Sequence, residues 1–231
     1  MNIDDPLISI ITINKNNSNG LNKTIESVKN QKFLNKEFVI IDGSSEDNSM
    51  MVINKHKNYL SNYLIEEDNG IADAFNKGIK LSKGKWIIFL NSGDTFANTS
   101  VLNKVNIILK KKKKDFVVGK VNLIRDNKFC GQFGGKDLNI NKLKYFNNIP
   151  HQSTFTQRNF FKTYGFFDEK YKIAMDYEIL LRNLKNLDIE LINEIIAEVE
   201  FDGITRKDEF KTYKYYKNAQ IKNKVQNRFL I

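Results

Sequence analysis

The sequence is poor in the residues that cross-link, kink or ligate. Its 231 residues include one cysteine, Cys130, two prolines and two histidines. A lone cysteine excludes an internal disulfide framework and fits a reducing compartment. One cysteine and two histidines are also too few for a structural zinc site. Two prolines leave no Pro-rich linker to mark a domain boundary, and no internal repeat is visible. Long apolar runs are missing as well. The longest, Ile8 to Ile13 and Trp86 to Leu90, fall far short of the roughly 20 residues that span a bilayer, so any membrane association is expected to be peripheral. Met1 to Pro6 carries Asp4 and Asp5 and lacks the basic start and apolar stretch of a secretory signal, so a cytoplasmic protein is expected.

What is present is enough hydrophobic residue, 41%, for one core with a C-terminal extension. The formal charge of +10 is uneven. Lys110 to Lys114 form one run, and the last thirty residues carry another excess of Lys and Arg. Nucleic acid, anionic lipid headgroups and phosphorylated small molecules would each satisfy that imbalance, and charge alone does not choose among them.

Leu7 to Ile13 is β-branched and almost wholly apolar, the pattern of a strand buried on both faces. After a polar turn from Asn14 to Gly20, Leu21, Ile25 and Val28 recur at helical spacing, and Phe38 to Ile41 reads as a second buried strand. Tyr63 to Ile65 is a short third strand, Ile71, Phe75 and Ile79 mark a helix face, and Trp86 to Leu90 is a fourth strand. The first hundred residues therefore predict an α/β fold with a parallel sheet. Beyond Asp94 the pattern becomes mixed. Val101 to Leu109 reads as a helix, and Phe116 to Val118 and Val121 to Ile124 as strands joined by a Gly119-Lys120 turn. One domain over residues 1–203, followed by a basic, aromatic helical tail over 204–231, is the expected organisation.

In an open α/β sheet, ligands bind beyond the carboxyl ends of the strands. Those ends are polar here: Thr12 and Asn14, then Asp42 to Asp47, then Glu67 to Gly70, then Asn91 to Asp94. Any one of these loops is explained by turn and cap chemistry. All four together outline an acidic rim.

These segments, with their apolar strands, resemble the family 2 glycosyltransferases. The resemblance is carried by Ile8 to Asn14, Val39 to Ser45, Asp68 to Gly78 and Phe89 to Asp94, then by His151 to Phe155, Tyr164 to Glu169 and Ala174 to Glu178. Each piece is short, and their number, order and spacing make the match specific. It implies a GT-A-like, Rossmann-type fold with a mixed, mostly parallel sheet flanked by helices. It also implies an inverting transfer from a nucleotide-diphosphate sugar, UDP-linked by expectation, to a saccharide or lipid-linked saccharide in bacterial surface-polysaccharide synthesis, of the O-antigen or capsule type.

By the same resemblance Asp42 accepts a hydrogen bond from the nucleotide base, with Thr12 and Asn14 lining its pocket. Gly70, Ser92 and Gly93 belong to the donor loops. Asp94 corresponds to the ligand of the family's DxD-type motif, holding Mg²⁺ or Mn²⁺ against the diphosphate. Where many relatives have further acids, this chain has Asn91, Ser92 and Gly93, so metal binding is expected to require the nucleotide. His151 is placed near the donor sugar, diphosphate or metal, and Lys77 near diphosphate charge. Asp176 corresponds to the catalytic base, which takes the acceptor's proton; the alternative for it is a helix N-cap. Glu178, two residues on, is the weaker candidate.

A dehydrogenase is excluded because Asn14 to Gly20 contains a single glycine where a Gly-x-Gly-x-x-Gly turn is required. A P-loop is excluded at Gly78 to Trp86, where Trp86 replaces Ser or Thr and the segment precedes a strand. The rival from another class is a basic nucleic-acid-binding module, for which Tyr213, Tyr215 and Tyr216 among lysines are the support. The transferase reading has no nucleic-acid partner. It leaves an anionic membrane surface as a partner for the aromatic, basic tail, at the inner face of the plasma membrane.

Overall fold

The computed structural model describes residues 6–111, 114–201 and 209–225. Asp4, Asp5, the middle of the lysine run at 112–113, and the tail stretches 202–208 and 226–231 with Arg206, Phe229 and Leu230 lie outside the described residues. The first half alternates as the sequence predicts: β1 (Ile8–Asn14), α1 (Ser18–Lys29), β2 (Lys36–Asp42), α2 (Ser49–His56), β3 (Asn62–Ile65), α3 (Ile71–Leu81) and β4 (Trp86–Phe89). The second half contains β5 (Thr95–Phe96), α4 (Val101–Lys111), β6 (Phe116–Arg125), β7 (Lys128–Gly134), β8 (Thr154–Gln157), α5 (Arg158–Tyr164), α6 (Met175–Leu181), β9 (Ile189–Glu200) and α7 (Glu209–Lys222).

The strands form one mixed sheet in the order β3-β2-β1-β4-β8-β6-β9-β5, with β7 paired to β6. Its first four strands are all parallel, so their carboxyl ends share one edge. Burial explains their unbroken apolar runs. Ile8, Ile10, Phe38, Ile40, Trp86 and Ile88 point into a cluster with α1, α2 and α4. Their neighbours Ile11, Val39, Ile41, Ile87 and Phe89 point into a second cluster with α3, α5 and α6. A strand covered on both faces has no position where a polar residue is favoured until it reaches its end.

At the opposite edge, Glu37 is buried and its Oε1 accepts from Ser9 Oγ at 2.5 Å and from the Gly84 amide at 2.7 Å. Arg158, the first residue of α5, donates to the carbonyls of Gly84 (2.6 Å) and Ile79 (3.0 Å) and to Ser82 Oγ (2.8 Å).

The expected Gly119-Lys120 turn is corrected. Phe116 to Arg125 is one strand, irregular in its register to β9 around Lys120. A Cβ at Gly119 would come within 2.4 Å of Ile196 Cγ1 and 2.7 Å of the Glu194 carbonyl. This glycine therefore permits a close strand approach at a bulge and does not reverse the chain. The hairpin turn lies further on, at Asp126 and Asn127, both with positive φ.

Helix α7 packs against α6. Ala219 and Gln220 are buried, Gln220 Nε2 donates to Tyr177 Oη at 3.0 Å, and the Tyr216 and Tyr177 rings lie 4.7 Å apart. Lys222 Nζ reaches Glu178 Oε1 and Asp168 Oδ2, both at 2.8 Å. Glu178 is fully buried, and Arg182 donates to it through Nε and Nη2. Burial pushes the Glu178 pKa up, but the hydrogen bonds and charges of Arg182 and Lys222 outweigh it, and the net shift is downward.

A depressed carboxylate pKa adds stability that is present above its unfolded-state value and lost as pH falls through the folded-state value. Glu178→Gln is expected to lower unfolding stability at pH 7 by about 3 kcal/mol, the low end for uncoupling a buried charge because Lys222 is 45% exposed. Urea titrations at pH 7 and below pH 4 check this: the deficit should shrink at the lower pH.

Candidate active site

The register of β1 with β2 sets Asn14 directly opposite Asp42. Both are buried. Asn14 Nδ2 lies 2.7 Å from Asp42 Oδ2 and 2.8 Å from Ser49 Oγ, and the Ser45 amide and hydroxyl donate to Asp42 at 2.8 and 2.9 Å. Asn14 Oδ1 is buried with no hydrogen-bond partner among the described residues. The floor of the expected base pocket is thus a held carboxylate beside an unpaired amide oxygen.

Thr12 does not line this pocket. It is fully buried, and its hydroxyl donates to the Leu90 carbonyl at 2.6 Å. The polar side chain belongs to the β1–β4 seam, and the expectation for Thr12 is corrected accordingly.

Gly70 caps α3 with φ +114, a backbone conformation that side chains rarely adopt. Its amide donates to Asp68 Oδ1 at 2.9 Å. Asp68 Oδ2 in turn lies where a Cβ on Gly43 would stand, 2.3 Å from that point. Glycine at 43 lets a third-strand acid lean over the second-strand loop, and the turn-like composition of Asp68 to Gly70 hides that in the sequence.

Lys77 is drawn elsewhere. Its ammonium lies 2.9 Å from Glu66, 3.2 Å from Asp73 and 2.6 Å from the Glu67 carbonyl. These partners hold the ammonium among the acids that flank α3. Lys172 is the lysine beside Gly70: its Cδ stands 3.6 Å from a Cβ built there.

Asn91 to Asp94 form a tight turn, closed by the Asp94 amide donating to the Asn91 carbonyl at 3.0 Å. Thr24 of α1 braces it, accepting the Gly93 amide at 3.0 Å and donating to the Asp94 carbonyl at 2.7 Å. Asn17 Nδ2 donates to the Ser92 carbonyl at 3.0 Å. Asp94 is buried, and that burial raises its pKa to about 6 against the lowering effects of His151 and a hydrogen bond from Gln152. Among the described residues no group of three or more His, Cys, Asp or Glu is placed to hold a metal ion. The turn offers hard oxygen donors instead: the Asp94 carboxylate, and Asn91 Oδ1, which is buried without a partner among the described residues. That set fits a magnesium- or manganese-type ion that takes its remaining ligands from phosphate and water.

His151 begins a 3-10 turn after Pro150. Its Nε2 lies 3.2 Å from Asn91 Nδ2, and its Nδ1 lies 3.7 Å from Asp176 Oδ2. Nε2 thus faces the Asn91 amide and Nδ1 faces Asp176. Asp176 is not the helix cap. That place belongs to Ala174, in the left-handed region at φ 69, and Asp176 stands in the first turn of α6 with its side chain 23% exposed. Glu178 faces Arg182 and Lys222, so the acid two residues on is structural. Asn147, which no sequence motif marks, donates to Asp176 Oδ2 at 3.0 Å.

Comparison with known proteins matches the Glycosyl transferase family 2 model to residues 9–177. A PGL/p-HBAD biosynthesis glycosyltransferase of Mycobacterium bovis is 28% identical over 207 residues, covering 87% of this chain and 79% of that protein. An uncharacterized glycosyltransferase of Rickettsia prowazekii is 26% identical, covering 85% of this chain and 64% of that one. Among solved structures, S. aureus TarS 1–349 in complex with UDP-GlcNAc superposes with a TM-score of 0.74 at 16% identity, over 92% of this chain and 65% of that chain. A Pyrobaculum calidifontis mannosyltransferase in complex with GDP-Man and Mn²⁺ gives 0.60 at 14% identity, over 84% of this chain and 57% of that one. The chain thus spans less than two thirds of either solved chain. These likenesses carry the GT-A fold. The family match opens at Ser9 on the first strand and closes at Tyr177, next to Asp176, so it takes in Asn14, Asp42, Gly70, Asp94 and His151, and on it the chain belongs to glycosyl transferase family 2.

Proposed function

We propose that the chain is an inverting glycosyltransferase that moves a sugar from a UDP-sugar to the hydroxyl of a saccharide or lipid-linked saccharide. One observation carries the reading: His151 lies against Asn91 of the donor turn on one side and Asp176 on the other. The diphosphate end of a donor and the base are thereby brought to one imidazole, as transfer across a single anomeric carbon requires. Asn14 and Asp42 hold the base, with Gly70, Ser92 and Gly93 framing the rest of the donor. Asp94 holds Mg²⁺ or Mn²⁺, whose charge would offset that of the leaving diphosphate. A UDP-sugar is the donor that the UDP-GlcNAc complex of TarS supports.

Asp176 takes the proton of the acceptor hydroxyl as its oxygen forms a bond to the anomeric carbon. The bond from that carbon to the diphosphate oxygen breaks on the opposite face, and the configuration inverts.

UDP with Mn²⁺ or Mg²⁺ is expected to raise the unfolding midpoint, and Asp42→Ala and Asp94→Ala to weaken that rise. Titration calorimetry decides it, and unchanged UDP affinity in both variants removes the donor-site assignment. Asp176→Asn is expected to lose about 10² to 10⁴ in turnover with donor affinity kept. UDP release from UDP-Glc, UDP-Gal and UDP-GlcNAc gives the rate. NMR of the product gives its anomeric configuration, and a retained configuration would overturn the single-displacement mechanism.

An anionic lipid surface is the proposed second partner, and α7 supplies the reason. It buries Ala219 and Gln220 against the domain while leaving Phe210 82% and Tyr213 59% exposed among lysines. Among the described residues no helix is long and apolar enough to cross a membrane. Flotation with vesicles rich in phosphatidylglycerol is expected to lose the Phe210→Ser/Tyr213→Ser protein from the lipid fraction by several-fold. Equal flotation of this variant and the wild type excludes α7 as the contact. Surface substitution is the cleaner test, because deleting α7 would also uncover Tyr177 and Glu178.

A further inference from the structure

The carboxylate of Asp176 is held by a loop residue. Among the described residues, one side chain hydrogen-bonds it: Asn147 Nδ2 lies 3.0 Å from Oδ2, while Oδ1 accepts the Tyr177 amide at 2.9 Å. His151 Nδ1, at 3.7 Å from Oδ2, is beyond hydrogen-bond distance. The orientation of the Asn147 amide is fixed independently. Its Oδ1 accepts the Ile149 amide at 3.0 Å, which leaves only the NH₂ end to face Asp176.

The loop that presents Asn147 is itself tied to the helix it serves. Tyr177 Oη donates to the Leu143 carbonyl at 2.6 Å, Gln220 Nε2 of α7 donates to the Tyr145 carbonyl at 2.7 Å, and Asn148 Nδ2 donates to the Asn139 carbonyl at 2.9 Å. Asp176 and Tyr177, adjacent on α6, therefore both contact the segment from Leu143 to Asn147. A free aspartate swings about its side-chain bonds, whereas one pinned at Oδ2 and Oδ1 presents its remaining lone pairs in fixed directions.

We propose that Asn147 is a positioning residue for Asp176, aiming the carboxylate at the acceptor hydroxyl without touching the substrate. The inference rests on Asp176 being the base. Misaiming a reacting group by about 1 Å costs on the order of 10²-fold in rate, so the effect falls on kcat and leaves donor binding alone.

Asn147→Asp is the main test, because it keeps the size of the side chain and an oxygen for the Ile149 amide while removing the donor. Release of UDP is followed with whichever of UDP-Glc, UDP-Gal and UDP-GlcNAc turns over fastest. The expected result is a fall in kcat of about 10- to 100-fold with KM for the UDP-sugar within about twofold and an unchanged unfolding midpoint. Asn147→Ala removes the donor without adding a charge and should lose kcat likewise. In the Asp176→Asn background neither change should reduce the residual rate further. Wild-type kcat in Asn147→Asp beside an inactive Asp176→Asn overturns the positioning role alone. Wild-type turnover by Asp176→Asn overturns the base assignment, and this proposal with it. Loss of the folding transition in both Asn147 variants assigns the residue to structure and also overturns the proposal.

Discussion

Glu37 sits at the start of β2, on the edge of the sheet furthest from the site, and gathers Ser9 of β1 and the amide of Gly84 ahead of β4 onto one oxygen. Three adjacent strands are thereby pinned at their amino ends in a single register. In a parallel sheet a slip of one residue exchanges the faces of a whole strand. Here it would turn Ile10 and Ile40 out of one core cluster and Ile11 and Ile41 out of the other. The same register sets Asn14 opposite Asp42, six positions along from the row where Ile8 meets Lys36 and therefore level with the ends of both strands. A buried carboxylate in a network of donors is satisfied only in one arrangement, and the donor edge inherits its alignment from that condition.

The parallel half was legible because two-sided burial writes itself as unbroken apolar runs that stop where the loops begin. The mixed half was less so. β9 reads Ile-Glu-Leu-Ile-Asn-Glu-Ile-Ile-Ala-Glu-Val-Glu, residues that suit a helix as well as a strand, and only its pairing with β6 and β5 decides the matter. α2 buries Ser49, Ile53 and His56, too short and polar a stripe to stand out. Gly119 looked like a turn because glycine marks turns and close approaches alike, and the distinguishing neighbour, Ile196, lies far along the chain.

At the site, the sequence supplied residue types at strand ends and helix starts, and it could not supply partners. Thr12 and Lys77 have the chemistry of ligand contacts, yet the Leu90 carbonyl just past β4 and two nearby acids engage them. Asn147 has the opposite history. It stands in an asparagine-rich stretch that reads as a loop, and its importance depends on α6 approaching from about thirty residues later. Asp176 was placed by its motif, whereas its exclusion from the cap followed from the left-handed turn at Ala174, which no periodicity foretells.

The anchoring of α6 by α7 also bears on the order in which the protein takes shape during synthesis. The four parallel strands have all been made once β4 has emerged from the ribosome, and α4, α5 and α6, which cover their two faces, follow later in the chain. Glu178, by contrast, has among the described residues only Arg182 for a counter-charge until Lys222 is made. Tyr177 likewise waits for Gln220. The helix bearing Asp176 therefore lacks part of what holds it until α7 is made, later than the strands whose ends carry Asn14 and Asp42.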